Sequence, residues 1–127
     1  MIVALDTNAY SDFLRGVPSR VAVVHQSEKI YLPLIVLGEL RAGFAAGNRE
    51  EENLAALGRF LASPRVSILF PDDTTTEHYA RIFVSLRNRG TAIPTNDLWI
   101  AALALQHDLH LCSSDTHFGK VTGLRLC

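Results

Sequence analysis

The 127-residue sequence has few cysteines, no long apolar run and no excess of basic side chains. Two cysteines, Cys112 and Cys127, are too few for the disulfide framework of a small secreted protein, so we expect both to be reduced. The longest stretch without a charge covers residues 98–107, whereas a membrane span needs about 20 apolar residues. Lysine and arginine number 12 against 13 acidic residues, for a net charge of −1. This balance excludes a uniformly basic nucleic-acid coat, but not a local basic patch.

Targeting and linker signals are also missing. The first eight residues, MIVALDTN, have neither the basic flank nor the long apolar core of a signal peptide. No repeat, low-complexity run or linker-like stretch divides the sequence, so we expect one domain over residues 1–127. Hydrophobic residues make up 48% of the chain, enough to form a real core. We therefore expect a soluble cytoplasmic protein without a membrane anchor.

Short apolar runs alternate with helical patterns along the chain. The runs predict strands over residues 2–5, 30–32, 66–70, 109–112 and 124–126. Helical spacing predicts helices from just after Pro33 to Gly47, over 50–62, from a Thr74–Glu77 capping box to Gly90, and over 96–107. The segment up to Pro18 is predicted to be rich in turns. Strands that alternate with helices predict an α/β/α sandwich with a mostly parallel sheet of four to five strands.

Two acidic residues lie at the carboxyl ends of predicted strands. Asp6 comes after the apolar run 2–5, and Asp115 comes after strand 109–112 through two serines. Ligands of open parallel sheets bind outside the carboxyl ends of the strands, where the strand order reverses. The two carboxylates flank that point if the two strands are neighbours. The ordinary alternative for each is a helix cap or a turn residue.

Two further acids interrupt apolar helices. Glu39 lies among Val36, Leu37 and Leu40, where a buried unpaired acid would be costly. An ordinary ion pair with Arg41, or exposure by rotation of the helix, would also explain it. Asp97 is the only formally charged residue of the apolar helix 96–107. Thr95 or Asn96 can cap that helix, which would leave Asp97 as a simple first-turn acid.

Four carboxylates at one edge of a sheet would repel one another unless a hard divalent cation neutralised them. An all-oxygen site with open positions suits Mg²⁺ or Mn²⁺, which activate water for phosphodiester cleavage. We expect in-line hydrolysis that uses no 2′-hydroxyl and leaves 5′-phosphate and 3′-hydroxyl ends.

The order of these motifs resembles the PIN-domain ribonucleases, and among them the VapC-type toxins of bacterial toxin–antitoxin pairs. The resemblance covers nearly the whole chain. It rests on Asp6-Thr7-Asn8 after the first strand, Gly38-Glu39-Leu40, Asn96-Asp97 opening a helix, and Ser113-Ser114-Asp115 followed by Phe118. It implies a PIN-like fold and a metal-dependent endoribonuclease.

The resemblance also implies roles for individual residues. It places the catalytic and metal-binding carboxylates at Asp6, Glu39, Asp97 and Asp115. Thr7, Asn8 and Ser113 match supporting positions. Many relatives carry another acid two residues after the last aspartate, where this sequence has His117. A second metal ion would therefore bind more weakly or not at all, or His117 would act on a phosphate or a water.

The resemblance further implies partners: an RNA substrate (tRNA, rRNA or mRNA), a small antitoxin protein and a second copy of the chain. Because the net charge is slightly negative, RNA contacts must be local. The candidates are Arg41, Arg81, Arg87 and Arg89, although arginines on a solvated face are common. The apolar helix face of Leu54, Leu57 and Leu61 is a candidate surface for oligomerisation.

Other functions compete with a toxin nuclease. A PIN-like nuclease could process RNA outside a toxin pair, and a degenerate acidic site could bind metal or RNA without catalysis. A receiver-type phosphotransfer domain needs an acidic pair near the first strand, which Asp6-Thr7 does not provide. A zinc site could use His107, His110, Cys112 and His117, but no second close pair of cysteine or histidine ligands supports it.

Overall fold

Five short strands form one parallel sheet in the computed structural model, which describes residues 1–127. The strands are β1 (Ile2–Leu5), β2 (Lys29–Pro33), β3 (Val66–Leu69), β4 (His110–Cys112) and β5 (Arg125–Leu126), arranged in the order β3-β2-β1-β4-β5. Val3 at the centre is opposite Ile30 on one side and His110 on the other. The strand order reverses between β1 and β4, so the predicted switch point is confirmed.

Six α-helices and one short 3₁₀ helix connect the strands. The α-helices are α1 (Thr7–Leu14), α2 (Pro18–Gln26), α3 (Leu34–Ala46), α4 (Glu50–Leu61), α5 (Asp73–Asn88) and α6 (Thr95–Gln106), and the 3₁₀ helix is Thr116–Lys120. The predicted α/β class and parallel sheet are confirmed. None of these helices combines the length with the apolar character that a membrane-spanning helix requires.

The core follows from the apolar runs. Val3, Ala4 and Leu5 of β1 are at most 1% exposed, as a central strand covered on both faces requires. Helix α6 buries its residues from Ile100 to Ala104 in succession. This helix is apolar around most of its circumference because it packs against both the sheet and α5. The core therefore fixes the N-terminal turn of α6 beside the carboxyl end of the sheet.

Helix α1 was not expected, because the segment before Pro18 was predicted to be rich in turns. It forms because the Asp6 side chain caps it, accepting a hydrogen bond from the Ala9 amide, and because Ala9 and Tyr10 are buried. The N-terminal capping box of α5 also differs from the prediction. The box at α5 is formed by Asp72 and Thr75 rather than by Thr74 and Glu77.

Two further predictions about helix ends and faces are wrong. Neither Thr95 nor Asn96 caps α6, which begins directly after the extended residue Pro94. The face of α4 predicted to be free is largely used within the protein. Leu57 is 2% exposed and Leu61 packs against the core, which leaves only Leu54 exposed.

The prediction of two reduced cysteines is also wrong, because Cys112 and Cys127 form a disulfide. The sheet register explains the pairing. Leu111 of β4 is opposite Leu126 of β5. The residue that follows each leucine along the chain is a cysteine, and the Cα atoms of the two cysteines are 4.6 Å apart. A count of cysteines cannot reveal this register. The bond links the end of β5 to β4, the strand that precedes the loop of residues 113–115, called here the acidic loop.

Candidate active site

Asp6 lies between β1 and α1 and is the N-cap of α1. Its Oδ1 accepts a hydrogen bond from the Ala9 amide at 2.8 Å, and its Oδ2 accepts one from the Ser113 hydroxyl. The side chain is buried, with the residue only 4% exposed. Asp6 is thus a helix cap, as the ordinary alternative proposed, and it also lies at the switch point of the sheet.

Asp115 reaches the same edge from β4. Ser113 holds this loop together, since its Oγ accepts the Asp115 amide at 2.9 Å while its hydroxyl donates to Asp6. Asp115 Oδ1 then accepts the His117 amide at 2.9 Å and caps the 3₁₀ helix. One serine therefore couples two of the predicted carboxylates.

Glu39 enters from the middle of α3. Its Oε1 accepts a hydrogen bond from the Thr7 hydroxyl at 2.8 Å, across 32 residues of sequence. The alternative of an ion pair with Arg41 does not occur, since Arg41 is exposed and pairs with no acid. Thr7 is the first residue of α1, so the cap that starts α1 also positions the group that orients Glu39.

Asp97 lies in the first turn of α6 and completes the set. Nδ1 of His117 is 3.1 Å from Oδ2 of Asp97 and 3.0 Å from Oδ1 of Asp115. No lysine or arginine forms a salt bridge with any of the four acids. His117 is the one basic side chain in direct contact with them.

The structure brings all four predicted carboxylates to one cavity of about 160 Å³. Its lining is almost entirely polar: Asp6, Thr7, Asn8, Glu39, Asp97, Ile100 and Asp115. Of the predicted supporting residues, Thr7 and Asn8 line this cavity, Ser113 bonds to Asp6, and His117 contacts the two aspartates from outside the lining.

Burial disfavours the charged form of two of these acids. Loss of solvation raises the pKa of Asp6 above its ordinary value of 3.8, against the hydrogen bonds from Ser113 and Ala9 and the charge of Arg20. Burial likewise raises the pKa of Asp97, and the charges of Asp115 and Glu39 add to the effect while His117 opposes it. For both groups, desolvation raises the pKa more than repulsion from the neighbouring carboxylates does.

Arg20 is a residue near the site that the sequence did not indicate. It is 9% exposed, and its guanidinium donates to the Cys127 carbonyl at 3.3 Å and to Ser114 Oγ at 3.5 Å. Its Nε is buried without a hydrogen-bond partner. Its positive charge favours ionised Asp6, and the only hint in the sequence is a lone arginine beside the valines of α2.

The predicted arginines lie outside the acidic cavity. Arg41, Arg81, Arg87 and Arg89 are all exposed and form no salt bridge. Arg81 and Arg89 line a depression of about 260 Å³ along α5 together with His78 and Ser85. Arg89 also donates to the Lys120 carbonyl, next to the acidic loop. The zinc alternative fails, because Cys112 is bonded to Cys127.

The chain is similar to known proteins both in sequence and in fold. A family model described as PIN domain matches residues 3–124. "Ribonuclease VapC1" of Haemophilus influenzae is 28% identical over 130 residues, covering 98% of this chain and 96% of the relative. Two solved structures are similar over nearly their full lengths. VapBC2 from Rickettsia felis, bound to a DNA fragment from their promoter, has a TM-score of 0.87 and 27% identity, covering 100% of this chain and 98% of the other.

The second structure is VapBC-5 from Mycobacterium tuberculosis, a member of the VapBC family of toxin–antitoxin systems. It has a TM-score of 0.76 and 26% identity, and covers 99% of this chain and 95% of the other. Both sequence and fold therefore match along nearly the whole chain.

Proposed function

The chain belongs to the PIN domain family, and from its acidic cavity we infer that it is an endoribonuclease and the toxin of a toxin–antitoxin pair. The observation that carries this inference is the convergence of Asp6, Glu39, Asp97 and Asp115 from four separate elements on one small polar cavity. A fold has no structural need for four acids at one point, since each buried charge costs stability. The ribonuclease relative extends along nearly the whole chain.

The cavity fits a divalent cation of the Mg²⁺ or Mn²⁺ type. Its donors are carboxylate oxygens, with hydroxyl and amide groups from Thr7 and Asn8 beside them. Asp6 is buried and Asp97 is half-buried, both have raised pKa values, and neither is paired with a lysine or arginine. Asp6, Glu39, Asp97 and Asp115 would hold the cation. When bound, it supplies Lewis acidity toward water and neutralises charge that develops on the phosphate.

The protein's own contribution is to fix the carboxylates in place. Ser113 and the Ala9 amide hold both oxygens of Asp6, Thr7 holds one oxygen of Glu39, and the other oxygen of Glu39 has no hydrogen-bond partner in the protein. Groups fixed before the substrate arrives need no reorganisation during the reaction. Hydrolysis at such a site leaves 5′-phosphate and 3′-hydroxyl ends, because no 2′-hydroxyl takes part.

RNA contacts would come from a local basic surface. Arg81 of α5 and Arg89, which follows the end of that helix, line one depression, and Arg89 donates to the backbone carbonyl of Lys120. Arg87 follows on the last turn of the same helix, and Arg41 lies two residues after Glu39. Exposed arginines that form no salt bridge can bind the phosphates of an RNA strand.

The proposed partners are RNA, a small antitoxin and a second copy of the chain. The antitoxin is supported by the similarity to the VapBC complex from Rickettsia felis. A homodimer remains a separate proposal, which light scattering of the purified protein tests. We place the protein in the cytoplasm, where a toxin meets its RNA substrate.

The test is cleavage of RNA by the purified protein with Mg²⁺, with Mn²⁺ and with EDTA. We expect activity with either cation and none with EDTA. Asp97→Asn should lower the rate by at least about 100-fold, as expected for loss of a main electrostatic group. Asp73→Asn is the matched control, because Asp73 is an exposed acid in the first turn of a different helix. Full activity in EDTA, or equal losses in both variants, would overturn the proposal.

A further inference from the structure

His117 is the one nitrogen ligand within reach of the acidic cavity. Its Nδ1 is about 3 Å from an oxygen of each of Asp97 and Asp115. Potential ligand atoms of these three residues all lie within 4.8 Å of one another. A single cation could contact all three at ordinary bond lengths of about 2.0–2.2 Å.

The backbone places His117 directly beside Asp115. Asp115 caps the 3₁₀ helix, and its Oδ1 accepts the amide of His117 itself, so ring and carboxylate belong to one tight turn. The His117 side chain is 39% exposed, whereas that of Asp97 is 14% exposed. An ion entering from solvent can therefore reach the imidazole without rearrangement of the core.

Asp97 and Asp115 face both the cavity and the histidine. Both line the cavity with Asp6 and Glu39, and both contact Nδ1 of His117, which is not itself part of the lining. A cation bound by Asp97, Asp115 and His117 together has both nitrogen and oxygen ligands. A cation held by the four acids alone has only oxygen ligands.

Ligand type sets metal preference. Mg²⁺ is a hard ion that takes oxygen ligands and keeps its waters, whereas imidazole favours transition metals, and affinity for such sites rises from Mn²⁺ toward Cu²⁺. We propose that His117 is a metal ligand at the Asp97–Asp115 side of the cavity and that it makes the site prefer Mn²⁺ to Mg²⁺. This inference rests on the proposed function, since it assumes that the acidic cavity binds a divalent cation.

The experiment measures binding rather than cleavage. Mn²⁺ is titrated into the metal-free protein at one fixed pH and the free ion is followed by its electron paramagnetic resonance signal, then Mg²⁺ is used as competitor. His117→Asn should weaken Mn²⁺ binding by about 10-fold or more, the range for disturbed metal sites. It should change Mg²⁺ binding by less than about threefold, since Mg²⁺ gains little from a nitrogen ligand. His117→Asp, which restores an all-oxygen set, should bind Mg²⁺ more tightly than the wild type.

A spectroscopic measurement shows the bond directly. Electron spin echo modulation from ¹⁴N should accompany Mn²⁺ bound to the wild type and disappear in His117→Asn. His107→Asn is the control, because His107 is exposed at the opposite end of α6, and its modulation should equal that of the wild type. Melting curves in EDTA establish that each variant is folded.

The outcomes separate the two proposals. If Mn²⁺ binds the wild type without ¹⁴N modulation, or binds His117→Asn as tightly or more tightly, then His117 is not a ligand and only this inference fails. Tighter binding of Mn²⁺ to His117→Asn would mean that His117 occupies the position of a cation between Asp97 and Asp115 and competes with the ion. If the wild type binds neither Mn²⁺ nor Mg²⁺, and Asp97→Asn cleaves RNA at the wild-type rate, the metal-dependent function fails as well.

Discussion

The hydroxyl of Thr7 donates a hydrogen bond to Oε1 of Glu39 at 2.8 Å, and this bond joins the first turn of α1 to the middle of α3. It is the only hydrogen bond that a protein side chain or amide gives to this carboxylate. Thr7 therefore determines where Glu39 directs its free oxygen. Since Thr7 also lines the cavity, the bond lies at the site itself.

Thr7→Val removes the hydroxyl at nearly constant shape. We expect the cleavage rate to fall about 10-fold, the effect of losing about 1.4 kcal/mol of transition-state stabilisation. Thr7→Ser keeps the donor and should retain most of the activity. Single-turnover cleavage measures both. Equal losses in the valine and serine variants would mean that the methyl packing of Thr7 matters rather than its hydrogen bond.

Removing the charge of Asp97 should stabilise the metal-free protein at neutral pH. An acid with a raised folded pKa binds protons more tightly in the folded state than in the unfolded state. Its ionisation costs stability from about the ordinary value of 3.8 upward, and the cost is complete above the raised folded pKa. Asp97→Asn avoids this cost, so in EDTA at pH 7 it should melt above the wild type, by about 3 °C per kcal/mol in a domain of this size.

The pH and metal dependence provide the check on that prediction. The advantage of Asp97→Asn should shrink as the pH falls below about 4, where the wild-type acid is neutral in both states. With saturating Mn²⁺ the order should reverse, because metal binding stabilises the intact site. Calorimetry in EDTA and in Mn²⁺ measures both effects. A variant equally destabilised under the two conditions would show that Asp97 has a structural role.

Reduction of the disulfide should lower stability. The bond closes a loop between positions 15 residues apart, for which loop closure alone contributes about 3 kcal/mol. Dithiothreitol should lower the melting temperature of the wild type and leave Cys127→Ser unchanged. A thiol assay under denaturing, non-reducing conditions provides the independent measurement. Two free thiols per chain in protein purified without reductant would contradict the bond.

Arg81→Gln should weaken RNA binding and make that binding less dependent on salt concentration. Loss of one phosphate contact should reduce the slope of log affinity against log salt by about 0.7 for a single strand. Binding is measured in an Asp97→Asn background so that the RNA stays intact. The matched control is Arg49→Gln, since Arg49 already pairs with Glu52 on α4 at 2.8 Å. Equal slopes for the two variants would exclude Arg81 from the RNA surface.

The sequence was sufficient to locate acids at strand ends. Asp6 directly follows an apolar run and Asp115 follows another after two serines, and a parallel sheet brings the carboxyl ends of such runs to one edge. Partners far apart in sequence could not be predicted in this way. Nothing near Glu39 indicates Thr7 as its donor, and local charge favoured Arg41. The Cys112–Cys127 bond depends on the register of β5 against β4, which a two-residue strand does not encode in its pattern.

Short elements escaped prediction for a related reason. Helix α1 has only eight residues, so its stability comes from the Asp6 cap and the burial of Tyr10 rather than from a long periodic pattern. Arg20 is buried by tertiary packing, and a lone arginine on a helix ordinarily faces solvent. In both cases the decisive contacts belong to the assembled fold.

The pairing of β1 with β4 determines how early the acidic cavity can form while the chain is being synthesised. Residues Val3–Leu5 obtain their β4 partners only at His110–Cys112, and Asp6 obtains the Ser113 hydroxyl 107 positions later. As the chain leaves the ribosome, Asp6 and Glu39 emerge early and Asp115 emerges last of the four acids. The complete acidic cavity therefore cannot form beside the ribosome's own RNA before residue 115 has emerged.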